Sequence, residues 1–352
     1  MKVSIILGLV ILLSLVSIQV TSASEKIPVA LLNDFDINKD GNLDKSERVN
    51  ILKKFDADKN GKLDKNERAV LAKKYKKQSV AKASGAPEGG EKRIYKKVSS
   101  IDLPLYIYKP INHTENSKAP AIVFFFGGGW KSGSPNQFEK QCKHLASKGM
   151  VAITVEYRVS SRHDVKIEDC VEDAKSAMRW VRKHANELGI DPERIATSGG
   201  SAGGHLAACV SVIEGFNAES DDLKVSAQPN AMVLFNPAMV IADHEKLPKK
   251  YKELLEKTLK DRSAVDRTLI SPLHHAHKKQ PPCIMFFGTA DRLIEGAKIY
   301  CEISKEAGNQ CQILSYEGQG HGFFNAKRTP DKYYQLTLKE MDKFFMDLDW
   351  IK

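Results

Sequence analysis

Ile195-Ala196-Thr197-Ser198-Gly199-Gly200-Ser201-Ala202-Gly203-Gly204-His205 reads as a β-branched run, a turn in which glycines flank one serine, and the start of a helix expected over 202–213. The spacing Gly199-x-Ser201-x-Gly203 is that of a nucleophile elbow. On so sharp a strand-to-helix turn the serine sits in strained backbone, and its neighbours must be small for the chain to pass closely. The hydroxyl then projects above the sheet edge, and the helix N-terminus behind it favours negative charge developing nearby. Glycine- and serine-rich loops are common, so the pattern needs partners elsewhere in the chain.

The flanking segments supply a sheet. Residues 120–126 (Pro-Ala-Ile-Val-Phe-Phe-Phe) form a continuous apolar run, as expected of a strand buried on both faces. It ends in Gly127-Gly128-Gly129-Trp130, where backbone N–H groups are free to point into a cavity, as a tetrahedral oxyanion requires. Edge strands are expected at 94–99 and 103–108, and further strands at 151–156, 194–198, 231–235, 283–287 and 311–316. Helices over 138–148, 167–188, 293–306 and 333–348 alternate with them, and a charged helical segment at 247–261 suits a small lid. This alternation predicts an α/β fold with a doubly wound, mostly parallel sheet.

A serine alcohol is a poor nucleophile until a base takes its proton and a carboxylate orients that base. On such a sheet the partners belong on loops at the carboxyl ends of later strands, in the order Ser, acid, His. Asp291 follows the apolar run 284–287 through Gly288-Thr289-Ala290. His321 lies in Gly318-Gln319-Gly320-His321-Gly322, just after the run 311–316. Other candidates fit less well. Ser198 is on the strand side of the turn, and His205, one helical turn beyond Ser201, suits packing or capping. His274, His275 and His277 precede the strand that carries Asp291, and Glu295 falls inside the next helix.

The N-terminal part differs in character. Met1-Lys2, an apolar run over 3–20 and Thr21-Ser22-Ala23 describe a secretory signal over 1–23, with an uncleaved anchor as the competing reading. About 330 residues then remain, enough for one large α/β domain and a small module. The net charge is +10, with lysines dense over 73–97, but no nucleic-acid motif accompanies them, and they read as a solvated segment. Six cysteines (142, 170, 209, 283, 301 and 311) admit fifteen pairings, and buried free thiols suit their apolar surroundings equally well. No CxxC or Cys/His cluster suggests zinc or redox chemistry.

Two segments repeat one pattern: Asp36, Asn38, Asp40, Asn42, Asp44 and Glu47, then Asp56, Asp58, Asn60, Lys62, Asp64 and Glu67. Oxygen side chains fall at loop positions 1, 3, 5 and 9 with Glu at 12, Gly41 or Gly61 makes the sharp turn, and position 7 offers a carbonyl. These loops resemble EF-hands and imply structural Ca²⁺. They start only 20 residues apart, so 48–55 must serve as outgoing helix of one and incoming helix of the other. That compact form resembles the calcium modules of secreted bacterial proteins. The expected organisation is a signal at 1–23, an EF-hand pair at 24–77, a flexible linker at 78–91 and a catalytic domain at 92–352.

From about residue 94 to 351 the chain resembles α/β-hydrolases of the esterase/lipase group, near bacterial feruloyl-esterase and carboxylesterase-like enzymes. The resemblance implies Ser201 as nucleophile, Asp291 as acid, His321 as base and an oxyanion hole from the N–H groups of Gly128, Gly129 and Ala202. It also extends through Val171-Glu172-Asp173-Ala174 and Asp191-Pro192-Glu193-Arg194-Ile195. The hormone-sensitive-lipase branch usually has His where this chain has Phe126 and Asp where it has Gly200, which points to the feruloyl/acetyl esterase-like branch. The expected function is a secreted or periplasmic serine esterase acting on esters such as acyl groups of polysaccharide. It needs no catalytic metal, no nucleic acid and no stable membrane insertion once the signal is removed. A serine peptidase and an inactive calcium-dependent binding protein on the same fold are the rivals.

Overall fold

Two acid-rich loops each open a short helix, α1 (Lys45–Phe55) and α2 (Lys65–Lys74). The computed structural model describes residues 34–38, 42–74, 86–326 and 332–352. The expected signal segment, the loop residue Asp40 and most of the expected linker lie outside them. Asp44 caps α1: its side chain accepts the Glu47 N–H (2.9 Å), and the Glu47 carboxylate accepts the Asp44 N–H (2.8 Å). Asp64 and Glu67 repeat that reciprocal pair at α2. Phe35, Leu43, Ile51, Leu63 and Leu71 bury together as a small core. A single helix, α1, runs from the end of the first loop to the start of the second.

The chain divides into two units, Met1–Ala83 and Ser84–Lys352. The larger carries strands β1 (Glu91–Val98), β2 (Ile101–Tyr108), β3 (Ala119–Phe125), β4 (Val151–Val155), β5 (Ile190–Gly200), β6 (Ala231–Phe235), β7 (Cys283–Gly288) and β8 (Cys311–Tyr316). Its main helices are α3 (Glu139–Ser147), α4 (Ile167–Lys183), α5 (Ala202–Val212), α6 (Lys249–Leu259), α7 (Ile294–Glu306) and α8 (Lys332–Asp347). The eight strands lie in the order β1-β2-β4-β3-β5-β6-β7-β8. β2 is antiparallel to both its neighbours, and every pairing from β4 to β8 is parallel. Among the described residues no helix is long and apolar enough to cross a membrane.

The apolar run of β3 is uniform because both its faces are covered. Val123 and Phe125 enter one core with residues of α4, α5 and α7, while Ile122 and Phe124 pack on the other face with residues of α3 and α8. Each such side chain contributes about 1.5–3 kcal/mol on burial. The edge strand β1 is anchored differently. Lys96, buried, meets Glu172 (2.6 Å) and the fully buried Asp173 (2.8 Å) on α4, and Arg158 donates to the same Asp173. Leaving that carboxylate without one of its cations would cost about 3–5 kcal/mol.

Two boundaries differ most from expectation. α4 stops at Lys183, and Gly189, at positive φ, turns the chain so that β5 begins at Ile190 instead of 194. The Gly189 carbonyl accepts the Ala119 N–H, which draws the approach to the elbow into the sheet beside β3. All six cysteines are buried free thiols.

Behind the elbow, α5 is buried along its whole length. His205 lies inside it as a packing residue, accepting the Trp130 indole N–H at Nδ1 (3.2 Å) and reaching the Ile270 carbonyl through Nε2 (2.7 Å). Burial pulls its pKa down to about 4, against the opposing bond to Ile270. It is therefore neutral in the fold, whereas the unfolded chain takes up a proton below about pH 6.5. Stability falls as pH drops from about 6.5 to about 4, by up to about 3 kcal/mol from this group, and is constant in this term below that. Thermal melts over that window should show the wild type losing stability relative to His205→Gln as pH falls, and a difference between the two that does not change with pH would remove His205 as the cause. A second prediction concerns Gly203, where a Cβ would lie 2.0 Å from the Phe125 carbonyl oxygen. Gly203→Ala should lower the melting temperature by several degrees, on the order of 1–3 kcal/mol, and an unchanged melt would contradict the close packing of β3 on the elbow.

Candidate active site

Ser201 occupies backbone that residues other than glycine rarely adopt, φ 54° and ψ −114°. β6 holds it there: the Ser201 N–H donates to Phe235 O (2.8 Å), and Ser201 O accepts the N–H groups of His205 (3.0 Å) and Ala238 (3.1 Å). The turn therefore cannot relax without disturbing the end of β6 and the start of α5.

His321 Nε2 lies 2.9 Å from Ser201 Oγ, and His321 Nδ1 lies 2.7 Å from Asp291 Oδ2. The three expected residues thus form one hydrogen-bonded line. With Nδ1–H donated to the carboxylate, Nε2 is left as the acceptor facing the serine hydroxyl. Asp291 is fully buried at its side chain, whereas His321 is 40% exposed, so the line runs from the interior to solvent. The β7 and β8 loops that carry them are stitched together. Thr289 N–H donates to Tyr316 O, Ala290 N–H to Gln319 O and Gly318 N–H to Thr289 Oγ1. Gly288 has to be glycine here, because a Cβ would lie 2.0 Å from Gln319 O.

The glycine loop after β3 is fixed at several points. Gly127 N–H donates to Gln137 Oε1 (2.6 Å), the Gly133 carbonyl accepts Arg162, and the carbonyls of Trp130 and Lys131 accept the N–H groups of Ser160 and Ser161. Arg162 also pairs with Glu156, whose carboxyl burial pushes up to about 7 against that arginine. Arg262, just beyond α6, donates to the Gly129 carbonyl and lies over the Trp130 ring at 5.8 Å; burial lowers its pKa. Among the described residues the N–H groups of Gly128, Gly129 and Ala202 donate to no protein acceptor, which leaves them open to a bound group.

The other candidates lie elsewhere. Ser198 is buried and donates to the Val233 carbonyl (2.5 Å), and Glu295 is exposed and paired with Lys298. His274 and His275 bond to the Asp243 and Thr268 carbonyls, and His277 is exposed. The sequence reading passed over three amides. Asn236, fully buried, donates to Asp291 Oδ2 (2.5 Å) and accepts the Gly322 N–H (3.3 Å). Gln137 joins the glycine loop to Asn325 (3.0 Å), and Asn325 donates to Gly322 O (2.8 Å). Asn236 had one signal, its place between a buried strand and Pro237 at the sheet's carboxyl edge.

In the N-terminal unit, carboxylate oxygens of Asp56, Asp58 and Glu67 lie within 4.8 Å of one another. The Gly61 N–H donates to Asp56 Oδ2 (2.7 Å) and the Asn60 N–H to Asp58 Oδ1 (3.1 Å), curling the loop around these acids. Hard carboxylate and amide oxygens in such a set fit Ca²⁺ and offer nothing to a thiophilic metal.

The chain and its fold have relatives. The BD-FAE family matches residues 105–299, more than half of the chain, and the dienelactone hydrolase family matches 260–347. The apo form of Thermogutta terrifontis esterase 2 is 46% identical, with a TM-score of 0.71 over 76% of this chain and 97% of that one. Structures of that esterase include propionate-bound and butyrate-bound forms. Carboxylesterase NlhH of Mycobacterium tuberculosis (strain H37Rv) is 26% identical over 245 residues, 64% of this chain and 72% of that protein. An arylesterase of Saccharolobus solfataricus is 36% identical over 151 residues, 42% of this chain, and the match spans less than half, 46%, of its length. The chain belongs to the BD-FAE family and is an α/β-hydrolase esterase, a carboxylic ester hydrolase.

Proposed function

We propose that this protein is a secreted or periplasmic serine esterase that removes short or aromatic acyl groups, acetyl or feruloyl, from polysaccharide. The observation that carries the mechanism is the line of hydrogen bonds from Ser201 Oγ through His321 to Asp291. Ser201 Oγ attacks the ester carbonyl while its proton passes to His321 Nε2. The imidazolium so formed is stabilised at Nδ1–H by Asp291. The carbonyl oxygen, now an anion, takes hydrogen bonds from the N–H groups of Gly128, Gly129 and Ala202, helped by the N-terminus of α5. Collapse of the tetrahedral adduct expels the alcohol, protonated from Nε2. Water, deprotonated by the same nitrogen, then releases the acid and restores Ser201. The propionate- and butyrate-bound forms of the Thermogutta terrifontis esterase support a small acyl group. The polysaccharide alcohol rests on the signal-like segment and on the branch that Phe126 and Gly200 favour.

The N-terminal loops belong to the same proposal as a structural calcium module. Asp56, Asp58, Asn60, Asp64 and Glu67 with the Lys62 carbonyl would hold one ion. Asp36, Asn38, Asn42, Asp44 and Glu47, with Asp40, would hold a second. The ion would neutralise carboxylates crowded beside one another and so hold the module folded.

Hydrolysis of p-nitrophenyl acetate, butyrate and octanoate, methyl ferulate and acetylated xylan tests the reading. Ser201→Ala should lose at least about 10³-fold in kcat on every substrate used. Preference for octanoate would replace the polysaccharide assignment with lipid esters, and a Ser201→Ala enzyme as active as wild type would end the mechanism. For calcium, EDTA should lower the melting temperature of the N-terminal unit and leave esterase activity within about twofold; no shift in melting, together with no ion retained on dialysis, would remove the metal from the account.

A further inference from the structure

Asn236, the residue after β6, has left-handed backbone, φ 44°, a conformation that asparagine adopts more readily than most residues. Its N–H donates to Phe286 O (2.8 Å), so its backbone is held against β7. The side chain is fully buried and both its polar atoms are used. Nδ2 donates to Asp291 Oδ2 (2.5 Å), the same oxygen that meets His321 Nδ1, and Oδ1 accepts the N–H of Gly322, the residue after His321. The other Asp291 oxygen accepts the Leu293 N–H (3.0 Å). One amide thereby grips the acid and the loop that carries the base. The chain of amides continues: Gly322 O accepts Asn325, Asn325 accepts Gln137, and Gln137 accepts the Gly127 N–H ahead of the glycine loop.

We propose that Asn236 is a positioning residue for ester hydrolysis: its carboxamide locks the Asp291 carboxylate in the orientation His321 needs and ties that carboxylate to the His321 loop. The proposal rests on the reading of Ser201, Asp291 and His321 as the reacting groups. Donation to the anionic oxygen disperses its charge, so Asn236 also sets how strongly Asp291 holds the imidazolium. The titratable groups facing Asp291 are His321 and Tyr251 on α6, whose phenol is pushed up by burial and then by the Asp291 charge. Loss of the amide therefore leaves a more basic Asp291 and moves the acid limb of the pH profile upward.

Two variants separate the side chain from the backbone. Asn236→Gly keeps the left-handed backbone at no steric cost and removes the amide. Asn236→Asp keeps an acceptor for Gly322 N–H and replaces the donor with a second carboxylate. Both should lose about 10- to 100-fold in kcat on p-nitrophenyl acetate with KM within about twofold. The acid limb of kcat/KM should rise by about half a pH unit or more. Paraoxon titration of the serine counts competent sites, so misfolded protein is subtracted from the rates. Wild-type kcat and an unmoved acid limb in both variants would overturn the proposal. So would a loss of rate fully matched by lost titratable sites, which assigns Asn236 to folding alone. Should Asn236→Gly not fold, Asn236→Asp carries the same readouts. Ser201→Ala, run alongside, keeps the two readings apart. Full activity in it refutes the underlying mechanism, whereas an inert Ser201→Ala beside unaffected Asn236 variants refutes only the role of Asn236.

Discussion

The backbone of Ser201 is the constraint on which the rest of the larger unit depends. A residue at φ 54° and ψ −114° costs about 1–3 kcal/mol and persists only where its surroundings leave it no alternative. Here those surroundings are the carbonyl of Phe235, the N–H of Ala238 and the first turn of α5. The end of β3 completes them, pressed so close that Gly203 has no room for a side chain. The central strands thus serve two purposes at once. Their apolar faces supply the burial that stabilises the sheet, and their carboxyl ends form the rigid seat in which a strained serine is kept.

Electrostatic organisation follows the same division. Away from the site, buried charges meet opposite charges at the sheet edge: Lys96 and Arg158 converge on Asp173 and fasten the β1–β2 edge to α4. Around the site, charge is sparse and amides take its place. Asp291 meets a histidine, an asparagine and one backbone N–H, with no cation among its hydrogen-bond partners in the described residues. A guanidinium there would hold the carboxylate too tightly to leave it available to an imidazolium, whereas an amide orients it without competing for the charge.

Much of this was legible in the chain. Apolar runs such as 120–126 marked buried parallel strands, and the order Ser201, Asp291, His321, each after such a run, matched what acyl transfer needs. The lesson of the misses is physical. Asn236, Gln137 and Asn325 carry no periodicity and no motif, since an amide is as ordinary in a surface loop as in a buried belt; only the fold reveals that 236, 291 and 322 are neighbours. α4 ended early because the sequence pattern of an amphipathic helix continues past Lys183, while Gly189 and the pull of β3 on its carbonyl turn the chain into β5. The cysteines left several pairings open, and in the fold all six are buried free thiols.

The rung joining β6 and β7 has a further consequence. Phe235 and Phe286 are partners in register, and Asn236 bonds back to Phe286 O, yet the chain between them, residues 237–282, makes a long excursion that includes α6. The excursion leaves at the carboxyl end of β6, beside Phe235, and returns at Cys283, opposite Met232 at the other end of the ladder, so the register of the two strands and not the length of the excursion sets the distance between Ser201 and Asp291. Mutation, insertion or exchange within it, away from Ala238, Arg262 and Ile270, can reshape the surroundings of the site while Ser201 and Asp291 keep their spacing. The sheet thereby makes this segment the natural ground for evolutionary drift in substrate preference, and the first place to graft new selectivity by recombination among relatives.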